Sequence, residues 1–306
     1  MRSLSIFFVL LLSATGYASD VNISGDVRVR HEVIDDSTAG SHTTRQRLRA
    51  RVNATAQVSD STSVGIGLAS GGANARSTNQ TAGGTFTSKG VMLDTAYIKT
   101  KAKGLDFTMG KFKNPLTTLS ELNWDNDIRP EGVAIETGYK KFSLKTAYFI
   151  LDDTAVNDPS LVVGQLGYQG KKFVLTGSYT ATQKMATDEA YANVNCAFNV
   201  WKLRAFGEYN VNLETSTDDT AWIAGVGADL GKLKVKYTYR EVEANGVNSL
   251  LTDSDFGNGV DTKGSEVNVS YKYDVVKLGV TYFALQNGVK NGTHYDRLMV
   301  DASVAF

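Results

Sequence analysis

The chain has 306 residues with 32 basic and 32 acidic side chains, so it has no formal net charge at pH 7. This balance gives no basic excess that would indicate a nucleic-acid partner, and no long acidic tail indicates disorder. Glycine (29), tyrosine (14) and phenylalanine (13) are frequent, prolines number three, and the single cysteine excludes an internal disulfide. Mean hydropathy is slightly negative although 42% of residues are hydrophobic, which favours a transmembrane barrel whose lipid-facing and lumen-facing residues alternate.

The first eighteen residues have the layout of a secretory signal peptide. Arg2 provides a basic start, residues 4–14 form an apolar run, and Gly16 and Ala18 place small residues before a cleavage site. The apolar run is too short to cross a bilayer as a helix. We therefore expect cleavage after Ala18, which leaves residues 19–306 as a single mature domain.

After this segment, stretches of alternating apolar and polar residues follow one another to the C-terminus. Successive side chains of a strand point to opposite faces, so each stretch has one apolar face and one polar face. Short breaks alternate with long ones, of which the first covers residues 34–44. The pattern predicts about sixteen strands, over residues 21–33, 45–58, 63–70, 90–100, 105–113, 131–139, 142–151, 161–169, 172–180, 188–199, 201–213, 220–230, 232–243, 264–274, 276–287 and 293–306.

These features predict an all-β fold, a transmembrane antiparallel up-and-down β-barrel. Short turns that alternate with longer outer loops are typical of such barrels, and an even strand number places both termini at the periplasmic rim. A soluble β-sandwich is the alternative, since it would expose the charged faces to water. The strand number, the alternation of break lengths and the C-terminal segment favour the barrel.

The C-terminal segment ends on an aromatic residue. Leu298, Val300, Ala302 and Val304 share one face with Phe306. This ending resembles the C-terminal signal that outer-membrane barrels present to their insertion machinery. We therefore expect that machinery and outer-membrane lipid to be partners of the chain.

Aromatic residues also recur near the ends of the predicted strands. In transmembrane barrels such residues form two girdles at the membrane interfaces. The predicted girdle residues are Tyr97, Tyr139, Phe142, Tyr168, Phe173, Trp201, Tyr273 and Phe306.

Residues 93–111 resemble the general diffusion porins of Gram-negative outer membranes. Residues 93–100, a short turn and residues 105–111, which end in Gly110-Lys111, resemble the strand pair that precedes the third loop of those porins. Residues 45–68 resemble their second and third strands. The resemblance implies a homotrimer of sixteen-stranded barrels, each with an inward-folded third loop. That loop corresponds here to residues 114–129, which lack the family's Pro-Glu-Phe-Gly-Gly-like motif.

Charged residues are the candidates for control of permeation. Four arginines on one face of the second strand cover about 20 Å of wall, at about 6.8 Å per two residues. If Glu121, Asp125 and Asp127 of the third loop face that wall, the channel has a basic and an acidic side. The predicted basic side is Arg28, Arg30, Arg45, Arg47, Arg49, Arg51 and, if Gly110 bends the strand, Lys111; Arg204, Lys234 and Lys236 are predicted to line the lumen elsewhere.

The sequence therefore predicts an outer-membrane porin, a water-filled channel for passive diffusion of small hydrophilic solutes and ions. Two alternatives stay open: a substrate-specific channel that binds anions, and a non-conducting barrel that acts as adhesin, receptor or enzyme. The three histidines form no metal-ligand or nucleophile pattern, so we expect no catalytic residues, metal site or cofactor. Asp253, Asp255 and Asp261 are out of register for a calcium-binding EF-hand and are predicted to lie in a solvated loop.

Overall fold

The alternating stretches of the sequence form one antiparallel sheet that closes on itself. The structure is a computed structural model that describes residues 20–154, 157–253 and 255–306. Each spanning strand pairs with its neighbours in the chain, and the first strand pairs with the last from Asp26 opposite Ala305 to Asp36 opposite Tyr295. In the described part of the chain, no helix is long and apolar enough to cross a membrane. The predicted signal peptide, residues 1–18, lies outside the described residues.

Sixteen strands build the wall, as predicted, and a further strand of two residues lies in a loop. In chain order they are β1 (Val21–Asp36), β2 (Ser41–Gln57), β3 (Thr62–Ser70), β4 (Gln80–Thr81), β5 (Val91–Ala102), β6 (Leu105–Lys111), β7 (Glu131–Tyr139), β8 (Phe142–Ile150), β9 (Ser160–Gln169), β10 (Phe173–Gln183), β11 (Ala190–Val200), β12 (Leu203–Asn212), β13 (Thr220–Leu230), β14 (Leu233–Val242), β15 (Thr262–Tyr273), β16 (Val276–Asn287) and β17 (Thr293–Ala305). The short β4 pairs with β2 and was not predicted.

Short and long connections alternate, so the barrel has a short-turn end and a loop end. The longest connections, residues 71–90, 112–130 and 243–261, all lie at the loop end. The first connection at this end differs from the prediction of a loop over residues 34–44. Strands β1 and β2 pair as far as Asp36 opposite Ser41, which leaves only a tight turn at residues 37–40.

A β-bulge between β3 and β5 reverses which side chains face the lumen. Gly67 pairs with Thr95 but Leu68 pairs with Leu93, so β5 has one extra residue. As a result, Tyr97 lies inside the barrel, against an apolar cluster that includes Phe149. The prediction that Tyr97 belongs to an outer girdle was wrong, because the alternation in the sequence does not show the bulge.

Other predicted girdle residues form a row around the short-turn end. Phe142 contacts Tyr168 with ring centroids 5.3 Å apart, Tyr168 contacts Phe173 at 6.2 Å, and Phe173 contacts Phe198 at 4.7 Å. Each ring lies on a different strand of the barrel, so the row runs across the strands, as an interfacial girdle does.

The C-terminal residue completes the seam between the first and last strands. The Gly25 N–H donates to the Phe306 carbonyl at 2.8 Å, and the Phe306 N–H donates to the Gly25 carbonyl at 3.0 Å. The aromatic ring of Phe306 lies over Gly25, where a glycine leaves room for it. Closure of the barrel therefore depends on a small residue at this position.

Replacement of Gly25 by alanine should destabilise the barrel. The new Cβ would lie 2.4 Å from the Arg51 carbonyl oxygen and 2.6 Å from the Phe306 ring, and overpacking of this kind costs about 1–3 kcal/mol. The measurement is the urea midpoint, the urea concentration at which half of the protein in detergent is unfolded. This midpoint should be lower for the variant than for the wild type. Gly177→Ala is the matched control, because a Cβ there meets nothing within 4 Å. Equal midpoints for the two variants would contradict this account of the seam.

Candidate functional site

The connection between β6 and β7, residues 112–130, folds into the barrel, and we call it the third loop. Phe112 and Trp124 pack on Phe149 of β8 with ring centroids 5.8 and 5.9 Å apart. The Thr117 N–H donates to Gln165 Oε1 of β9 at 2.8 Å. Burial of these apolar side chains holds the loop against the inner wall of the barrel.

The same loop also contacts the far side of the lumen. Glu208 of β12 accepts hydrogen bonds from Ser120 Oγ at 2.5 Å and from Asn123 Nδ2 at 2.8 Å. Asp127 forms an ion pair with Arg51 of β2. The third loop therefore spans the lumen, and it brings its carboxylates towards β2.

Opposite the loop, three neighbouring strands form a surface that we call the arginine wall. In the strand register, Arg28 lies opposite Arg49 and Arg30 lies opposite Arg47. Like charges this close repel, so the wall requires negative partners. Its members are Arg28 and Arg30 of β1, Arg45, Arg47, Arg49 and Arg51 of β2, and Arg297 of β17.

Carboxylates on the same strands supply those partners. Glu32 has no exposed side-chain surface, and it lies 2.5 Å from Arg45 Nε and 3.2 Å from Arg297 Nη2. Asp301 accepts from Arg30 Nε at 2.7 Å, and Asp26 accepts from Arg49 Nη2 at 2.7 Å. The sequence prediction missed these acidic residues and Arg297. Asp26 and Glu32 share the polar face of the first strand with Arg28 and Arg30, which is the signal that could have identified them.

A cavity of about 270 Å³ separates the arginine wall from the inward loops. Residues of the predicted basic side and residues of the predicted acidic side both line this cavity. Its lining includes Arg28, Arg30, Arg49 and Arg51 on the wall and Glu121, Asp125 and Asp127 on the third loop. The structure thus brings these seven predicted residues together, while Arg45 and Arg47 both contact Glu32.

The remaining predicted site residues lie elsewhere. Lys111 Nζ donates to Glu131 Oε1 at 2.9 Å and to the Arg129 carbonyl at 3.1 Å, so it is not part of the arginine wall. Arg204, Lys234 and Lys236 line a cavity of about 510 Å³ towards the short-turn end.

A second connection, residues 243–261 between β14 and β15, also enters the barrel, and we call it the β14–β15 loop. Asp253 lies 3.0 Å from Arg240 Nη2, and Asp255 lies 3.0 Å from Arg297 Nη2. The prediction of a solvated loop was therefore wrong for these two aspartates. It failed because their arginine partners lie on strands β14 and β17, where sequence spacing gives no sign of contact.

Three carboxylates of the two inward loops lie close together. The oxygens of Glu121, Asp125 and Asp253 are all within 4.8 Å of one another. Burial, with Asp253 nearby, raises the pKa of Glu121 to about 8, and burial raises the pKa of Asp125 to about 7. Burial alone would also raise the pKa of Asp127, but Arg51 holds it below its ordinary value.

Among the residues that the structure describes, these three side chains form the group whose oxygens lie close enough together to bind one cation. All three already have protein partners, since Asp125 Oδ1 accepts a hydrogen bond from the Asp127 N–H at 2.7 Å. Asn126 Nδ2 donates to Glu121 at 2.8 Å, and Arg240 holds Asp253. The arrangement is thus better suited to holding protons near neutral pH than to holding a resident metal.

Replacement of Glu32 by glutamine should destabilise the barrel strongly. The change leaves Arg45, Arg47 and Arg297 without the carboxylate that they share, and loss of one partner from a buried charge pair costs about 3–5 kcal/mol. The urea midpoint in detergent should fall accordingly. Asp35→Asn, which removes a charge from an exposed position of the same strand, should leave the midpoint near that of the wild type. A Glu32 variant as stable as the wild type would contradict the role given to Glu32.

The chain is similar to known proteins both in part of its sequence and in its fold. The profile of a family described as putative porin matches residues 16–155. The fold is similar to that of a triple mutant of Rhodopseudomonas blastica porin, with a TM-score of 0.65 and 15% identity over 94% of this chain and 100% of that chain. It is also similar to Salmonella typhi OmpF in complex with daunomycin, with a TM-score of 0.66 and 12% identity over 94% and 97% of the two chains. No curated protein sequence matches.

Proposed function

We propose that this chain is a porin, a water-filled channel for passive diffusion of small hydrophilic solutes and ions; the family match of residues 16–155 and the sixteen-strand barrel support this. The proposed location is the outer membrane of a Gram-negative bacterium, which the porin-family match and the similarity to porin structures support. The observation that carries the proposal is a series of cavities along the lumen, each lined by charged side chains, that share lining residues.

Three cavities make up this series. The cavity of about 510 Å³ at the short-turn end shares Lys236 and Asn268 with a second cavity of about 520 Å³. The second shares Glu121 and Asp255 with the cavity of about 270 Å³ beside the arginine wall. A continuous lumen with charged side chains along its length supports the passage of water and hydrophilic solutes.

The smallest of these cavities is the proposed constriction, with a basic and an acidic side. The seven arginines of the wall form ion pairs with five carboxylates, three of which lie on the strands of the wall itself, so the wall and its paired carboxylates together carry two positive charges, seven minus five. Low-dielectric walls concentrate the field of such groups across a narrow water column. A passing ion or zwitterion is then oriented by the field, whereas an apolar solute gains nothing from it. The five carboxylates are Asp26, Glu32, Asp127, Asp255 and Asp301.

The excess of positive charge also favours the alternative of a substrate-specific channel for anions. Such a channel would show conductance that saturates with salt and is blocked by its substrate. A diffusion channel would conduct in proportion to salt. The family and fold are those of channels, so the non-conducting and enzymatic alternatives have less support.

Two further parts of the proposal rest on the resemblance to general diffusion porins. One is a homotrimer, which should give conductance steps in groups of three. The other is recognition of Phe306 by the barrel insertion machinery, for which its side chain is accessible, with 63% of the residue exposed.

Replacement of Arg47 and Arg49 by serine should shift ion preference towards cations. The double variant removes two positive charges from the arginine wall and leaves Asp26 without its partner. The measurement is the reversal potential of the purified protein in a planar bilayer under a salt gradient. Lys140→Ser with Lys141→Ser removes the same charge from an exposed turn and should leave the reversal potential unchanged. An unaltered reversal potential in the arginine variant would reject the basic wall, and absence of conductance in the wild type would reject the channel.

A rise in pH from 6 to 9 should also shift ion preference towards cations. Asp125, with a pKa of about 7, and Glu121, with a pKa of about 8, are mostly protonated at the lower pH and ionised at the higher one. The constriction then gains up to two negative charges. Glu121→Gln with Asp125→Asn should flatten the profile of reversal potential against pH. A wild-type profile that is already flat would show that these groups do not titrate in the conducting path.

A further inference from the structure

The β14–β15 loop is attached to the inner wall of the barrel by apolar side chains along its length. Val247 packs in a cluster with Leu122 of the third loop, and Leu251 packs in the cluster of Phe149. Phe256 packs on Phe283 of β16, with ring centroids 6.2 Å apart. Buried apolar anchors at three points hold this connection inside the lumen.

Backbone hydrogen bonds join the β14–β15 loop to the third loop. The Asp125 N–H donates to the Leu251 carbonyl at 2.7 Å, and the Asp253 N–H donates to the Glu121 carbonyl at 3.1 Å. Thr252 Oγ1 donates to the Leu122 carbonyl at 2.7 Å. The two loops therefore obstruct the lumen together, as one hydrogen-bonded unit.

Asp255 of the β14–β15 loop lies where the cavity of about 520 Å³ meets the cavity of about 270 Å³, and it lines both. It lies 3.0 Å from Arg297 Nη2 and 3.5 Å from Arg30 Nη1 of the arginine wall. Its side chain is 38% exposed, whereas those of Arg30 and Arg297 are 7% and 3% exposed. Of this group, the carboxylate is the charge that a passing ion can contact.

Asp253 on the same loop provides a contrast. Its carboxylate is bound by Arg240 and is 15% exposed. Arg240 is in turn covered by the Phe256 ring, whose centroid lies 3.3 Å from the guanidinium carbon. Both aspartates line the two cavities, but Asp253 is held by Arg240 and is mostly buried, whereas Asp255 is the more exposed of the two.

We propose that the β14–β15 loop is a second constriction loop and that Asp255 on it helps to determine the ion selectivity of the channel. The inference rests on the proposed channel function. An ion that moves between the two cavities lined by Asp255 passes a fixed negative charge in a narrow space, where such a charge acts most strongly. Without this carboxylate, Arg30 and Arg297 attract anions more strongly.

The test is the reversal potential of Asp255→Asn in a planar bilayer under a potassium chloride gradient. Asparagine has nearly the same shape, so the loop should keep its place while the ratio of chloride to potassium permeability rises severalfold. Asp218→Asn is the matched control, because it removes one carboxylate from a loop where the partner is the exposed Lys290. Asp255→Glu, which keeps the charge, should remain near the wild type.

The outcomes separate the two proposals. A conducting Asp255→Asn channel with wild-type selectivity would overturn the selectivity role and leave the channel function intact. An equal shift in Asp218→Asn would also overturn it, since the effect would then come from overall charge. A wild-type protein that does not conduct would overturn the channel function itself.

A thiol at position 255 tests the placement of the loop independently of selectivity. In a Cys196→Ser background, a channel with Asp255→Cys should lose a large part of its conductance when a bulky water-soluble thiol reagent is added. The same reagent should leave an Asp218→Cys channel at its initial conductance. A 255 thiol that is labelled without loss of conductance would show that the loop does not narrow the conducting path, and would overturn the proposal.

Discussion

Backbone hydrogen bonding in a lipid environment is the constraint on which this structure depends. Hydrocarbon offers no water to an unpaired N–H or C=O group, so a sheet that crosses a membrane must close. Here the closure is the pairing of β1 with β17, completed by the two hydrogen bonds between Gly25 and Phe306. Once the sheet is closed, each strand has one face in lipid and one in the lumen. The alternation of apolar and polar residues follows from that geometry.

The closed lumen creates a second constraint, because it brings many guanidinium groups to one side. Charges that are removed from bulk water need partners, and strands β1 and β17 provide only three of them, Asp26, Glu32 and Asp301. Asp127 and Asp255 come from the inward loops. Attraction of these carboxylates to the arginine wall therefore adds to the apolar contacts that hold each loop inside the barrel.

Prediction from sequence succeeded where a local rule decides the outcome. A strand alternates with a period of two residues wherever it lies, so all sixteen spanning strands were identified. The same rule placed Arg49 and Arg51 on the lumen side, where they line the cavity with Asp127. It failed at Tyr97, because one extra residue in β5 reverses the alternation without any change of composition. It also failed at Asp253 and Asp255, because the alternation of a strand does not show that the β14–β15 loop turns inward towards Arg240 and Arg297.

The barrel class, the approximate strand number and the lipid or lumen face of each regular strand residue could be predicted from the amino-acid sequence, because these properties follow from short-range periodicity. Tertiary structure alone decided which charges meet. The contacts of Glu32 with Arg297 and of Asp255 with Arg30 join residues that are far apart in the chain. They exist only because the sheet closes and two loops turn inward, and both events depend on contacts across the whole lumen.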